Sequence, residues 1–155
     1  MSSRPVYLSY LREKSLNTKL AHCTFFSAKR AAFRAQLTRP LAANAPIQFD
    51  LSYAIGGGYD PHTGIYTVPV SGVYTFHSQL FPSDTASYVI DLLVNGVIRS
   101  RSRCYDSGTY TTSCFSSSLL RVRQGDKVWV QADHAVAFYT GVHTYFSGAL
   151  LSADP

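Results

Sequence analysis

Three arginines, Arg99, Arg101 and Arg103, stand two residues apart in the segment Val97-Ile98-Arg99-Ser100-Arg101-Ser102-Arg103-Cys104. Successive side chains of a strand point to opposite faces, so on a strand all three guanidiniums share one face. Arg121 and Arg123 repeat the spacing later in the chain. A guanidinium presents a planar fork of donors matched to carboxylate, sulfate or phosphate. If the two strands lie in one sheet, these arginines form a cationic patch for such groups. The run from Arg99 to Arg103 holds no acidic residue, and Ser100 and Ser102 fill the alternate positions. The competing reading is an ordinary solvated outer face, because exposed strand faces are polar in any case.

Tyr105, Tyr110 and Tyr139 lie beside Gly or Asp in turn-forming stretches, so they are expected to be exposed. An exposed Tyr beside polar groups can stack on a sugar ring; equally, it can sit at the rim of an interface. Tyr74, Phe76 and Trp129 read as packing residues. The histidines, His22, His62, His77, His134 and His143, are dispersed without the spacing of a metal site. His134 follows Asp133, and adjacent strand residues point apart. No G-x-S-x-G elbow and no P-loop is present, and Gly56-Gly57-Gly58 is not followed by Lys-Ser/Thr. The expectation is a protein that is not an enzyme.

Cys104 and Cys114 flank the turn-forming triplet Asp106-Ser107-Gly108. With strands running into and out of that turn, the thiols meet across a short ladder and form a disulfide in an oxidising compartment. The alternative is two partly buried free thiols. Cys23 is left over, free or joined to another chain.

A chain of 155 residues with 46% hydrophobic and 15% charged content reads as one globular domain. Its 11 Tyr and 9 Phe suit the half-buried pleat of a sheet. A net charge of +5 favours anionic partners without choosing among them. No basic cluster is interleaved with an aromatic platform of the kind that binds RNA, so no nucleic-acid partner is expected. No stretch reaches the length of a transmembrane helix, and no membrane insertion is expected. Met1 to Tyr10 holds no apolar run long enough for a signal peptide. Either the protein is not exported by the usual route or this chain starts after the signal.

The elements that position these residues are almost all strands. Tyr59 to Phe76 reads turn, strand, turn, strand, bounded by Pro61 and Gly64 and then by Pro69 and Gly72. Alternation predicts strands over Ala32–Leu37, Pro46–Phe49, Val73–Phe81, Tyr88–Val94, Val97–Cys104, Thr111–Val122, Lys127–Ala132 and His143–Leu151. Asn95-Gly96 marks a tight hairpin, Gln124-Gly125-Asp126 another turn, and Gly56-Gly57-Gly58 a flexible connection. Residues 1–31 form an N-terminal extension, with a short amphipathic helix or a flexible lead between Tyr7 and Leu20. Residues 32–153 form the domain. Short strands at regular intervals, with no helix between them, predict an all-β sandwich or jelly roll.

In order along the chain, Ala32-Phe33-Arg34-Ala35, Ile47-Gln48-Phe49-Asp50, Tyr59-Asp60, Thr63-Gly64-Ile65 and Gly72-Val73-Tyr74-Thr75-Phe76 form one set of landmarks. Leu93-Val94-Asn95-Gly96, Ser118-Leu119-Leu120, Gly125-Asp126-Lys127-Val128 and Phe146-Ser147-Gly148-Ala149-Leu150-Leu151 complete it. This ordered set resembles the globular C1q domain, over Ala32 to Leu151. The resemblance implies a ten-stranded jelly-roll sandwich shared with tumour-necrosis-factor-like cytokines, assembled as a homotrimer and not enzymatic. It also implies a secreted recognition protein, as in the stalkless invertebrate members. Some members bind calcium through acidic loops. The corresponding loop here, Asp133 to Gly141, offers one carboxylate where calcium takes six to eight oxygens, so no cofactor is expected.

The function these readings favour is pattern recognition in innate immunity: carbohydrate binding, with anionic glycans or lipopolysaccharide bound by a trimer. Arg99, Arg101, Arg103, Arg121, Arg123, Tyr105, Tyr110 and Tyr139 are the expected ligand residues. The alternative is a cytokine-like or matrix ligand for a protein receptor.

Overall fold

In the computed structural model, residues 29–39, 46–83, 87–105 and 112–155 are described. The sequence reading of Met1 to Leu20, together with Cys23 and Tyr110, lies outside them. Ten strands run as β1 (Ala32–Leu37), β2 (Leu51–Ile55), β3 (Tyr59–Asp60), β4 (Ile65–Thr67), β5 (Gly72–Leu80), β6 (Tyr88–Val94), β7 (Val97–Cys104), β8 (Cys114–Val122), β9 (Lys127–Ala132) and β10 (Gly141–Ala153). They form two antiparallel five-stranded sheets, a front sheet in the order β2-β1-β10-β5-β8 and a back sheet in the order β3-β4-β9-β6-β7.

Period-two alternation builds the core between the sheets. Phe33, Ala35 and Leu37 of β1 share the inner face of the front sheet with Phe146 of β10 and Tyr74 and Phe76 of β5, and pack with Tyr66 of β4 and the inward residues of β6 and β9. The centre is a cluster of rings. Phe33 stacks on Tyr66 with centroids 4.2 Å apart and meets Phe146 edge-on at 4.9 Å. Gly148 lies in this cluster because nothing larger fits: a Cβ there would stand 2.7 Å from both the Phe33 and Phe76 rings. Filling a packed core in this way typically costs about 1–3 kcal/mol.

The structure moves one expected strand. Pro46–Phe49 is not a strand, although Ile47 and Phe49 are buried. The segment touches the back sheet through a single bridge, Pro46 opposite Gln131, and through Ile47 N–H donating to Val130 O at 2.9 Å. The strand lies a few residues later, at Leu51–Ile55, where all five residues are exposed. Alternating burial marks which side chains reach the core, whereas a strand also needs a ladder partner. β2 finds that partner in β1.

Candidate functional site

The β6–β7 hairpin decides what the arginines of β7 can do. Asn95 and Gly96 hold φ of 52° and 81°, both left-handed as a type I′ turn requires. Val94 pairs with Val97 and Leu93 with Ile98. Continued without interruption, that register would set Asp91 opposite Ser100. A one-residue bulge intervenes: Leu92 pairs with Ser100, Arg99 is left unmatched, and Asp91 comes to face Arg101. Arg101 Nε and Nη2 then donate to Asp91 Oδ1 and Oδ2 at 2.7 and 2.8 Å. Asp91 points away from the core yet is only 3% exposed. Its charge is tolerated there because the guanidinium answers it.

The other face of β7 meets β8 of the front sheet. Ser100 Oγ and Ser116 Oγ share a hydrogen bond at 3.0 Å, and Ser102 Oγ donates to Phe115 O at 3.5 Å. Cys104 and Cys114 are bonded, with Cα atoms 5.6 Å apart. This corrects two expectations. β7 and β8 belong to different sheets, so Arg99, Arg101 and Arg103 do not share a sheet with Arg121 and Arg123. For the same reason the disulfide does not span a ladder; it clasps the open edge of the sandwich. Closing a loop of this length contributes roughly 3 kcal/mol.

The strand registers separate two ends of the molecule. At the loop end lie Thr38–Arg39, Pro46–Asp50, residues 81–83, Tyr105 and residues 133–140, above the pairs Leu80–Cys114 and Tyr88–Cys104. At the terminal end lie Asn95-Gly96, residues 123–126, and the described chain ends at Lys29 and Pro155. Here Gly72 pairs with both Val122 and Ala153.

Cations gather at the terminal end. Asp126 is the clamp: Oδ1 accepts from Asn95 Nδ2 at 2.8 Å, and Oδ2 accepts from Arg123 N–H at 2.7 Å. Asn95 Oδ1 accepts from Lys127 N–H at 2.9 Å, which ties the β6–β7 and β8–β9 turns together. The Arg123 N–H, then the Asn95 amide, hold the Asp126 carboxyl below the usual carboxylate range, and the charges of Arg123 and Arg99 add to the effect. Arg99, Arg123 and Lys127 stand around this clamp, and none of the three forms an ion pair among the described residues. Arg121 Nη2 is bound to Asp154 Oδ1 at 2.6 Å. Lys29 lines a cleft of about 270 Å³ with Ser71, Gln124 and Asp154.

The loop end is different. Arg39 pairs with Asp50 at 3.2 Å. Asp133 Oδ1 accepts from Val89 N–H and lies 2.8 Å from His134 Nδ1, so the two side chains meet instead of pointing apart; a bend, not a strand, carries them. Arg103 and Tyr105 line one cleft of about 340 Å³ beside the disulfide. Tyr105 is 69% exposed, and Tyr139 packs its ring 5.5 Å from Phe81. The structure therefore divides the expected site. Arg103, Tyr105 and Tyr139 belong to the loop end, Arg99, Arg121 and Arg123 to the terminal end, and Arg101 lies between them in its pair with Asp91.

Two features escaped the reading of single segments. Trp129 is not a core residue like Tyr74 and Phe76; it faces outward on β9 and is partly exposed. The outward face of the front sheet is rimmed by large apolar groups. The registers give three rows across five strands: Leu51-Gln36-Tyr145-Gln79-Phe115, Tyr53-Arg34-Ser147-His77-Ser117 and Ile55-Ala32-Ala149-Thr75-Leu119. Leu51, Tyr53 and Ile55 edge one side, Phe115 and Leu119 the other, all exposed. Leu51, Tyr53 and Ile55 stand two apart in the sequence, a signal that was available.

Two facing five-stranded antiparallel sheets closed by a ringed aromatic core place this molecule in the jelly-roll class shared by complement heads and tumour-necrosis-factor-like ligands. The C1q domain family matches residues 32–151, and the chain belongs to that family. The fold is similar to the globular domain of zebrafish complement 1qA, with a TM-score of 0.69 at 20% identity, covering 79% of this chain and 98% of that one. It is similar to murine APRIL, with a TM-score of 0.67 at 17% identity, covering 79% and 100%. Eiger TNF from S. frugiperda aligns with a TM-score of 0.63 at 19% identity, covering 81% and 94%. The family is not enzymatic, and its domains are typically extracellular.

Proposed function

We propose that this chain is a secreted homotrimeric recognition protein that binds anionic glycans, bacterial lipopolysaccharide among them, through its terminal end. The observation that carries the reading is the segregation of charge. Among the described residues, Lys29, Arg30, Arg99, Arg121, Arg123 and Lys127 gather there against Asp126 and Asp154. Arg99, Arg123 and Lys127 have no ion pair among the described residues, while Arg101 is engaged by Asp91. A cluster of like charges on a clamped pair of turns raises the local concentration of a polyanion.

The apolar rims of the front sheet support the assembly. One edge carries Leu51, Tyr53 and Ile55, the opposite edge Phe115 and Leu119. An edge that meets a different edge of the next copy makes a head-to-tail contact, and with a rotation of one third of a turn per copy such contacts close into a ring of three. Three copies would turn a weak single-site affinity into useful avidity.

The test is binding to immobilised heparin and to lipopolysaccharide at low and high salt, for the native protein and for Arg99→Gln/Arg123→Gln/Lys127→Gln. The expected result is binding that weakens with salt and falls at least tenfold in the triple variant. Equal binding and equal salt dependence in the variant would remove the terminal end as the site.

A further inference from the structure

We propose that the outward face of the back sheet carries a second binding site, centred on Trp129, for a pyranose ring of an uncharged glycan. This site goes beyond the anionic one and does not depend on it.

Trp129 is the only tryptophan of the chain, and it stands where a strand of a sandwich needs only a polar side chain. Directly across from it on β6 is Leu93, and beyond that Ile98 on β7, 44% exposed. These form an apolar row. The adjacent row, one pleat away, is Gln131-Asp91-Arg101 across the same three strands. An indole surface therefore lies beside a line of polar groups about 5 Å apart from strand to strand.

The polar row is already oriented. Trp129 Nε1–H donates to Gln131 Oε1 at 3.1 Å, which fixes the amide and leaves its Nε2 donors for a ligand. Arg101 spends Nε and one Nη2 proton on Asp91, which fixes the guanidinium and leaves the Nη1 donors. Neither group has to be ordered when a ligand arrives, and that reduces the entropy lost on binding. The ring and its fixed donors match the two characters of a pyranose. Its axial C–H face is apolar and suits an aromatic surface, and its equatorial oxygens form a polar rim that accepts from fixed N–H groups. Asp91 neutralises Arg101, so the two rows themselves carry no net charge, and the cations Lys127 and Arg103 of the same face stand at their borders.

The single tryptophan makes the test specific. The native protein is titrated with cellohexaose, maltohexaose and laminarihexaose while Trp129 emission is followed. At least one sugar should produce a saturable change that is the same at low and high NaCl. Saturation-transfer NMR on that sugar should show contacts from one ring face, and these should be lost in Trp129→Ala and weakened in Gln131→Ala. Gln131→Ala removes only a partly exposed amide, so it keeps the test decisive if Trp129→Ala does not fold. No emission change with any of the three sugars overturns the proposal. So does a change abolished by salt, or NMR contacts that persist in Trp129→Ala or stay unweakened in Gln131→Ala. The Arg99→Gln/Arg123→Gln variant, which leaves the Trp129 strand untouched, should keep full response to the neutral sugar, which separates failure of this site from failure of the anionic one.

Discussion

The two outward faces of the sandwich bury their middles by different means. The front face is mostly small or polar along its centre, at Ala32, Ser147, Ala149 and Thr75 with Tyr145 among them, and carries exposed apolar rows along both edges, at Leu51, Tyr53 and Ile55 and at Phe115 and Leu119. The back face is the reverse. Its strand β6 is buried along its whole length, including the outward Val89, Asp91 and Leu93, although no third layer of described residues lies over it. Trp129, Gln131 and Arg101 on the flanking strands provide the cover, and Arg101 does so by pairing with Asp91. Apolar edges exposed among the described residues suit contact between one edge of a copy and the other edge of the next. A self-covered face with fixed polar groups suits a small ligand. Fold alone would not separate these roles, because both faces are made from alternating strands of the same architecture.

The contrast is broken most directly at the front edges. Tyr53→Asp and Leu119→Asp each place a charge where copies are proposed to meet, and either should shift the assembly to monomer, with a loss of about 2–4 kcal/mol of association. Sedimentation across a concentration series reads this. An unchanged trimer would assign those edges to something other than self-association. Tyr53→Asp should leave folding intact, since its position is 68% exposed.

A smaller effect sharpens the account of the back face. Arg101→Ala leaves the buried Asp91 carboxylate without its partner and should lower stability by about 2–3 kcal/mol in urea unfolding. Asp91→Ala leaves a guanidinium whose side chain is already 58% exposed, and should cost only about 1 kcal/mol. Equal losses would mean that Asp91 is not held by this pair.

The smallest effect is acid sensitivity at the terminal end. Asp126 has its carboxyl lowered in the folded protein by the Arg123 N–H and the Asn95 amide. A carboxyl lowered on folding contributes stability that is complete above its unfolded value, near 3.8, and is lost as pH falls through the lower folded value. Asp126→Asn should therefore reduce stability slightly at neutral pH and flatten its decline below that unfolded value. A parallel decline in native and variant proteins would show that the clamp does not titrate.

Much of the fold is legible in local patterns, because strand alternation, Asn-Gly and the Pro/Gly pairs act over a few residues. β4 to β7 lie where those signals put them. Pro46–Phe49 misleads because its buried residues alternate without a ladder, while Leu51–Ile55 pairs without burying anything. The candidate site is less legible for a related reason. Spacing places Arg101 and Arg103 on one face, but one bulged residue decides that Asp91 meets Arg101 and not Ser100. Which sheet receives β8 depends on the whole topology, so the union of Arg99–Arg103 with Arg121 and Arg123 could not be tested on either segment alone. The facing series Ser100, Ser102, Cys104 and Cys114, Ser116 did carry the seam, as small residues two apart on two strands.

The placement of β10 has a kinetic meaning. It lies between β1 and β5, so Ala32 at the start of the domain is hydrogen-bonded beside Ala149 near its end. The front sheet cannot close until nearly the entire chain is available, and most of its native neighbours are remote in sequence. Chains of such high contact order fold slowly, on the scale of milliseconds to seconds. During synthesis β1 and β5 would wait with unpaired edges, exposed to pairing with the wrong partner. A fragment ending before Gly141 should therefore fail to fold as a unit, however complete its back sheet.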